Sequence, residues 1–175
     1  MQDLLYPGSR IMLMAAAGRD TLNDAQKAVY DTLKGKISDI ANGYETNTKF
    51  QFSVSSSISS DELKEVLNAL LYDCPYELYW FDKLSGWIYG GGSSITAYFY
   101  VADAYQDKTA DGYTEVNFGD GKEQIPNAKF TTDREKTSAA AETKEKAQNI
   151  VDWYADLSDY EKLEAYKDEI CALVS

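Results

Sequence analysis

Leu63, Val66, Leu67, Leu70 and Leu71 recur at i, i+3, i+4, i+7 and i+8. On a helix that spacing gathers the aliphatic side chains into one stripe, and a stripe so continuous has to lie against another layer. Ser59 and Glu62 stand at capping-box spacing just before it and mark its start. Pro75 marks its end, because the residue before a proline avoids helical geometry. The rest of the chain must therefore supply an apolar surface for this helix to cover.

Candidates for that surface follow from period. Asn23 and Gln26 form a second capping pair, and Val29, Leu33, Ile37 and Ile40 share one helical face that Asn42-Gly43 closes. Phe50, Phe52 and Val54 alternate with Gln51 and Ser53, the pattern of a half-buried strand, and a serine-rich turn is expected after it. Leu78 to Phe81 reads as a short strand or buried turn. Trp87 to Tyr89 reads as a strand, Gly90 to Ser93 as a turn. Ile95, Ala97, Phe99 and Val101, alternating with Thr96, Tyr98 and Tyr100, give what is expected to be the longest strand, paired with Trp87–Tyr89 in a hairpin. Tyr113–Phe118 and Lys122–Ile125 flank Gly119-Asp120-Gly121 and predict a small second hairpin, read as a polar arm rather than core. Helix returns from Thr137, where Ala147, Ile150, Val151 and Tyr154 share a face. Ser158 and Glu161 cap a last helix with Leu163, Tyr166, Ile170 and Val174 on its apolar side.

Helix, strand, helix, strands, arm, helices is the order of an α+β fold: a small antiparallel sheet packed against a layer of amphipathic helices, with a polar β-hairpin arm. The expected organisation is a poorly defined N-terminal segment over 1–22, an α+β domain over 23–135 with its arm at about 106–132, and a helical pair over 136–175. That pair either packs on the domain or leads into a downstream core. Ile11–Ala17 is a short apolar run, but Asp3 and Pro7 occupy the place of a basic leader, so it is read as an ordered N-terminal segment.

With 175 residues, 44 % of them hydrophobic, the chain can build a core without metals or disulfides. A net charge of −12 repels phosphate backbones and anionic bilayers, which excludes nucleic acid as a partner. No stretch is long enough for membrane insertion. Histidine is absent, which removes Ser-His-Asp and Cys-His pairs and the commonest zinc ligand. Cys74 and Cys171 are the only cysteines, and either a single bridge or two buried thiols fits them.

Two stretches carry a resemblance. Asp73-Cys74-Pro75-Tyr76-Glu77-Leu78-Tyr79-Trp80 resembles the D-x-P-E-L-F/Y-W stretch of many secreted Gram-positive proteins, with Tyr76 as one inserted residue. Ser158-Asp159-Tyr160-Glu161-Lys162-Leu163, continuing to Ile170-Cys171, resembles the helix pair that leads into a transglutaminase-like core. The resemblance runs from about Asn23 to Ser175 and implies a pre-catalytic region of a bacterial transglutaminase-like surface or secreted protein. In that family a Cys in a C-x-G-Y context, then a His and an Asp, follow downstream. None of these occurs here, and Cys171 is not followed by Gly-Tyr, so no catalytic residue carries over.

The residues themselves offer two surfaces. Tyr89, Tyr98 and Tyr100 belong to a dense aromatic cluster that would form a binding face for a protein or glycan if one side of the sheet were open. Leu163, Tyr166, Ile170 and Val174 would form a contact face for the downstream domain. Cys74 lies at a helix C-terminus beside Asp73, where both charges raise a thiol pKa and argue against reactivity. An EF-hand count from Asp107 reaches Thr109, Asp111 and Gly112 but puts Phe118 where a Glu is needed, so no calcium loop is assigned. The triple glycine lacks the Lys of a phosphate loop. The expectation is a non-catalytic structural or interaction domain, secreted or surface-located, with no cofactor and no metal. Its partners would be a downstream catalytic domain of the same protein, or another protein or surface glycan. The alternative is a free-standing binding module using the tyrosine face.

Overall fold

The computed structural model describes residues 18–118 and 121–174, the last two by backbone alone. The apolar run Ile11–Ala17 lies outside the described residues. The chain divides into two compact units with the boundary after Ser138.

In the first unit, helices α1 (Asp24–Ala41) and α2 (Ser60–Asp73) begin at the capping boxes read from sequence, with both reciprocal bonds made at Asn23/Gln26 and Ser59/Glu62. Gly43, at φ 73°, follows the Asn42 cap of α1, where a side chain would be strained. Strands β1 (Lys49–Ile58), β2 (Trp87–Gly90) and β3 (Gly92–Phe99) form one antiparallel sheet in the order β1-β3-β2. The fold is α+β.

Two strand expectations need correction. The longest strand is β1, not the one through Ile95. Ser55–Ser57 is strand rather than turn, because Ile58 is buried in the core and pulls the chain back to the sheet. The register slips on the way, from Ser53↔Ser94 to Ile58↔Gly92, so β1 bulges there. Leu78–Trp80 is a turn, Phe81 makes the isolated bridge Phe81↔Val101 just past β3, and the rings of Trp80 and Phe81 pack against Phe99 of the sheet. The β2–β3 hairpin turns at Gly91. A Cβ there would come within 2.6 Å of the Ile58 carbonyl oxygen, so only glycine lets the two segments cross.

One face of the sheet carries Phe50, Ile95, Ala97 and Phe99 and packs on Val29, Leu33 and Ile37 of α1 and on Leu63, Val66, Leu67 and Leu70 of α2. Strand alternation sends Ile88, Tyr98 and Tyr100 to the opposite face. That face is not open. The hairpin β4 (Tyr113–Asn117) and β5 (Lys122–Pro126) lays Val116 and Ile125 on it, and Phe130 completes a second small core. The arm is thus a third layer. Its outward residues Glu115, Asn117, Lys122 and Gln124 account for its polar reading, and its buried pair is too short to register as a pattern.

The C-terminal helices are α3 (Arg134–Trp153), capped by Asp133 accepting from the Glu135 and Lys136 amides, and α4 (Asp159–Val174). Within the second unit the ring of Tyr154 lies 6.2 Å from that of Tyr166, and its hydroxyl donates to Glu169 at 2.8 Å.

Candidate interaction surfaces

The three tyrosines of the expected binding face are not brought together at the surface. Tyr89 pairs with Ala97 on the helix-covered side of the sheet and is 5 % exposed. Tyr100 lies on the other side under the arm at 9 % exposure, its ring 4.9 Å from Phe130. Tyr98 is half-buried, edge-on to the same phenylalanine. Burial pushes the Tyr100 phenol up to about 12, with Glu123 of the arm adding to it. The open side on which the alternative binding face depended is absent: the sheet is covered on both sides, and the tyrosines pack. A network of side chains holds the arm down, with Lys49 donating to Thr114 at 3.0 Å and Thr114 donating to Asn127 at 2.7 Å.

The chemistry-bearing groups of the first unit are engaged in structural work. Asp73 accepts from the Tyr30 hydroxyl at 2.8 Å and from the Arg19 amide at 2.9 Å. Cys74 is buried 3.9 Å from that hydroxyl, and burial raises its thiol pKa. Both thiols are free, and Cys171 is exposed rather than buried. Asp103 pairs with Lys108 and Lys129, and Asp107 accepts from Thr109, so these arm acids are spent on local contacts. Among the described residues no cluster of acids, Cys or His is arranged to hold a metal ion. No helix among them is long and apolar enough to cross a membrane.

The second unit differs in kind. Not one of its described residues is buried. Of the expected contact face, Leu163 is 69 % and Ile170 60 % exposed, while Tyr166 is half-buried against Tyr154. The side chain of Val174 lies outside the described residues. Val151, Trp153, Leu157 and Tyr160 are exposed as well. Sequence reading passed over Trp153 and Tyr160, although Tyr160 stands one turn before Leu163 and could have been found by extending the stripe.

Comparison of the chain with protein-family models, with curated proteins and with solved structures finds no match. The functional reading accordingly rests on the exposed helical pair. Its cap is sound, since Ser158 and Glu161 exchange bonds and hold the Glu161 carboxyl below its ordinary range. A capped helix of good propensity with none of its described side chains buried lacks the tertiary packing from which helices in proteins draw most of their stability. Units below roughly 40 residues usually need an added constraint or a partner.

Proposed function

We propose that this chain is a non-catalytic structural and interaction domain, and that α3 and α4 are its docking element for a transglutaminase-like core in a bacterial surface or secreted protein. One observation carries the docking role: Leu163 and Ile170 stand in water on α4, and from Ala139 on no described residue of the helical pair is buried. Fully burying one such side chain is worth about 1.5–3 kcal/mol, so a partner that covers both stabilises the pair markedly. The resemblance of the Ser158–Cys171 stretch to a lead-in helix supports a core as that partner. The aromatic-face alternative has no such support, because Tyr89 and Tyr100 are buried.

Hydrogen exchange tests the reading. The amides of α4 are followed in the 175-residue chain and in the same chain joined to the next domain of its reading frame. Protection of α4 should rise in the longer protein and fall back in Leu163→Glu/Ile170→Glu. Equal exchange in both chains removes the docking role. A following domain without a Cys, His and Asp set removes the transglutaminase-like part alone.

A further inference from the structure

Leu163 and Ile170 are seven residues apart and so lie on one line along α4, with Tyr160 a turn before Leu163. All three are exposed. The half-buried residues of the helix, Lys162, Ala165, Tyr166 and Glu169, lie on a different face, and two of them are held by Tyr154. The exposed line is therefore an unused seam of the α3–α4 pair. An apolar repeat at that spacing fits another helix, whose own apolar residues would recur every three and four positions.

The charges beside the seam are unequal. Asp159 and Glu164 flank it on either side and Asp168 lies one step beyond, while Lys167 stands on the seam between Leu163 and Ile170 and Lys162 lies on the half-buried side of the helix. Glu164 is oriented by the Tyr160 hydroxyl at 3.0 Å. Charges flanking a helical seam set partner choice, since like charges placed opposite one another oppose association. A second copy would bring the same acids and a further net charge of −12. We infer that the α4 seam docks an amphipathic helix whose apolar stripe is flanked by lysine or arginine. This rests on the docking role proposed above and adds the chemistry of the partner.

Two synthetic peptides serve as probes: amphipathic helices with leucine at heptad core positions, one flanked by lysine and one by glutamate. Binding to the reduced 175-residue chain is measured by anisotropy across a salt series, beside sedimentation of the chain alone. The lysine-flanked peptide should bind at least roughly tenfold more tightly than the other, and less tightly as salt rises. Leu163→Glu/Ile170→Glu should abolish that binding even though it makes the chain more acidic, with helicity checked by circular dichroism. Asp159→Lys/Glu164→Lys should weaken the lysine peptide and improve the glutamate peptide. Equal binding of the two peptides overturns the inference and leaves the docking role standing. Undiminished binding of the lysine peptide to the Leu163→Glu/Ile170→Glu chain marks attraction to bulk charge and also overturns it. So does a dimer that this double variant dissociates, which would make a second copy the occupant.

Discussion

The Tyr30 hydroxyl donates to the Asp73 carboxylate across 2.8 Å, joining the middle of α1 to the last turn of α2. The same carboxylate takes the Arg19 amide, so one side chain ties the N-terminal turn to both helices. Tyr30→Phe removes the bond and keeps the ring. Asp73 is exposed and regains water, so the cost should be about 1–2 kcal/mol, read as a lower urea midpoint with an unchanged slope. A neutral result would mean that the bond only replaces one made to solvent.

The arm gives a sharper contrast. Ile125→Ala opens the second core beneath it and should cost about 2–4 kcal/mol. Tyr113→Ala, on the outward side of the same hairpin, should stay within about 0.5 kcal/mol. Chemical denaturation followed by tryptophan fluorescence separates the two. Equal and small effects would return the hairpin to the status of a solvated appendage.

The two thiols should be distinguishable by labelling. Cys171 is exposed and should react with a neutral thiol reagent in the native protein, whereas Cys74 should react only after unfolding. Burial both blocks access to Cys74 and raises its pKa, which depletes the thiolate that reacts. Mass spectrometry after native labelling should find one modified cysteine, in the peptide containing Cys171.

Alkaline stability follows from Tyr79 and Tyr100, both pushed up to about 12 from an ordinary value of 10.0 chiefly by burial. Each phenol is raised in the folded state, so the stability it contributes is complete below pH 10 and is lost as pH climbs toward 12. Tyr100→Phe keeps the ring against Phe130 and removes the ionisable group. Its midpoint of alkaline unfolding, followed by circular dichroism beside tyrosinate absorbance, should shift upward.

Local physics made much of this legible beforehand. Capping pairs at Asn23/Gln26, Ser59/Glu62 and Ser158/Glu161 act within a few residues, and each forms in the structure. The stripes on α1 and α2 and the alternation through Phe99 likewise specify a face without any knowledge of what covers it. Tyr98 and Tyr100 mark where this stops: alternation placed them opposite Phe99, and nothing local told whether that side met water.

The α+β class, the capped starts of α1, α2 and α4 and the inward faces of α1, α2 and β3 were thus written in the sequence, because backbone capping and side-chain period depend on near neighbours alone. That Val116, Ile125 and Phe130 would close over Tyr100, and that Leu163 and Ile170 would be left outside, was decided by tertiary structure. Burial is a property of two surfaces at once, and residues far apart in the chain meet only when the whole unit has folded.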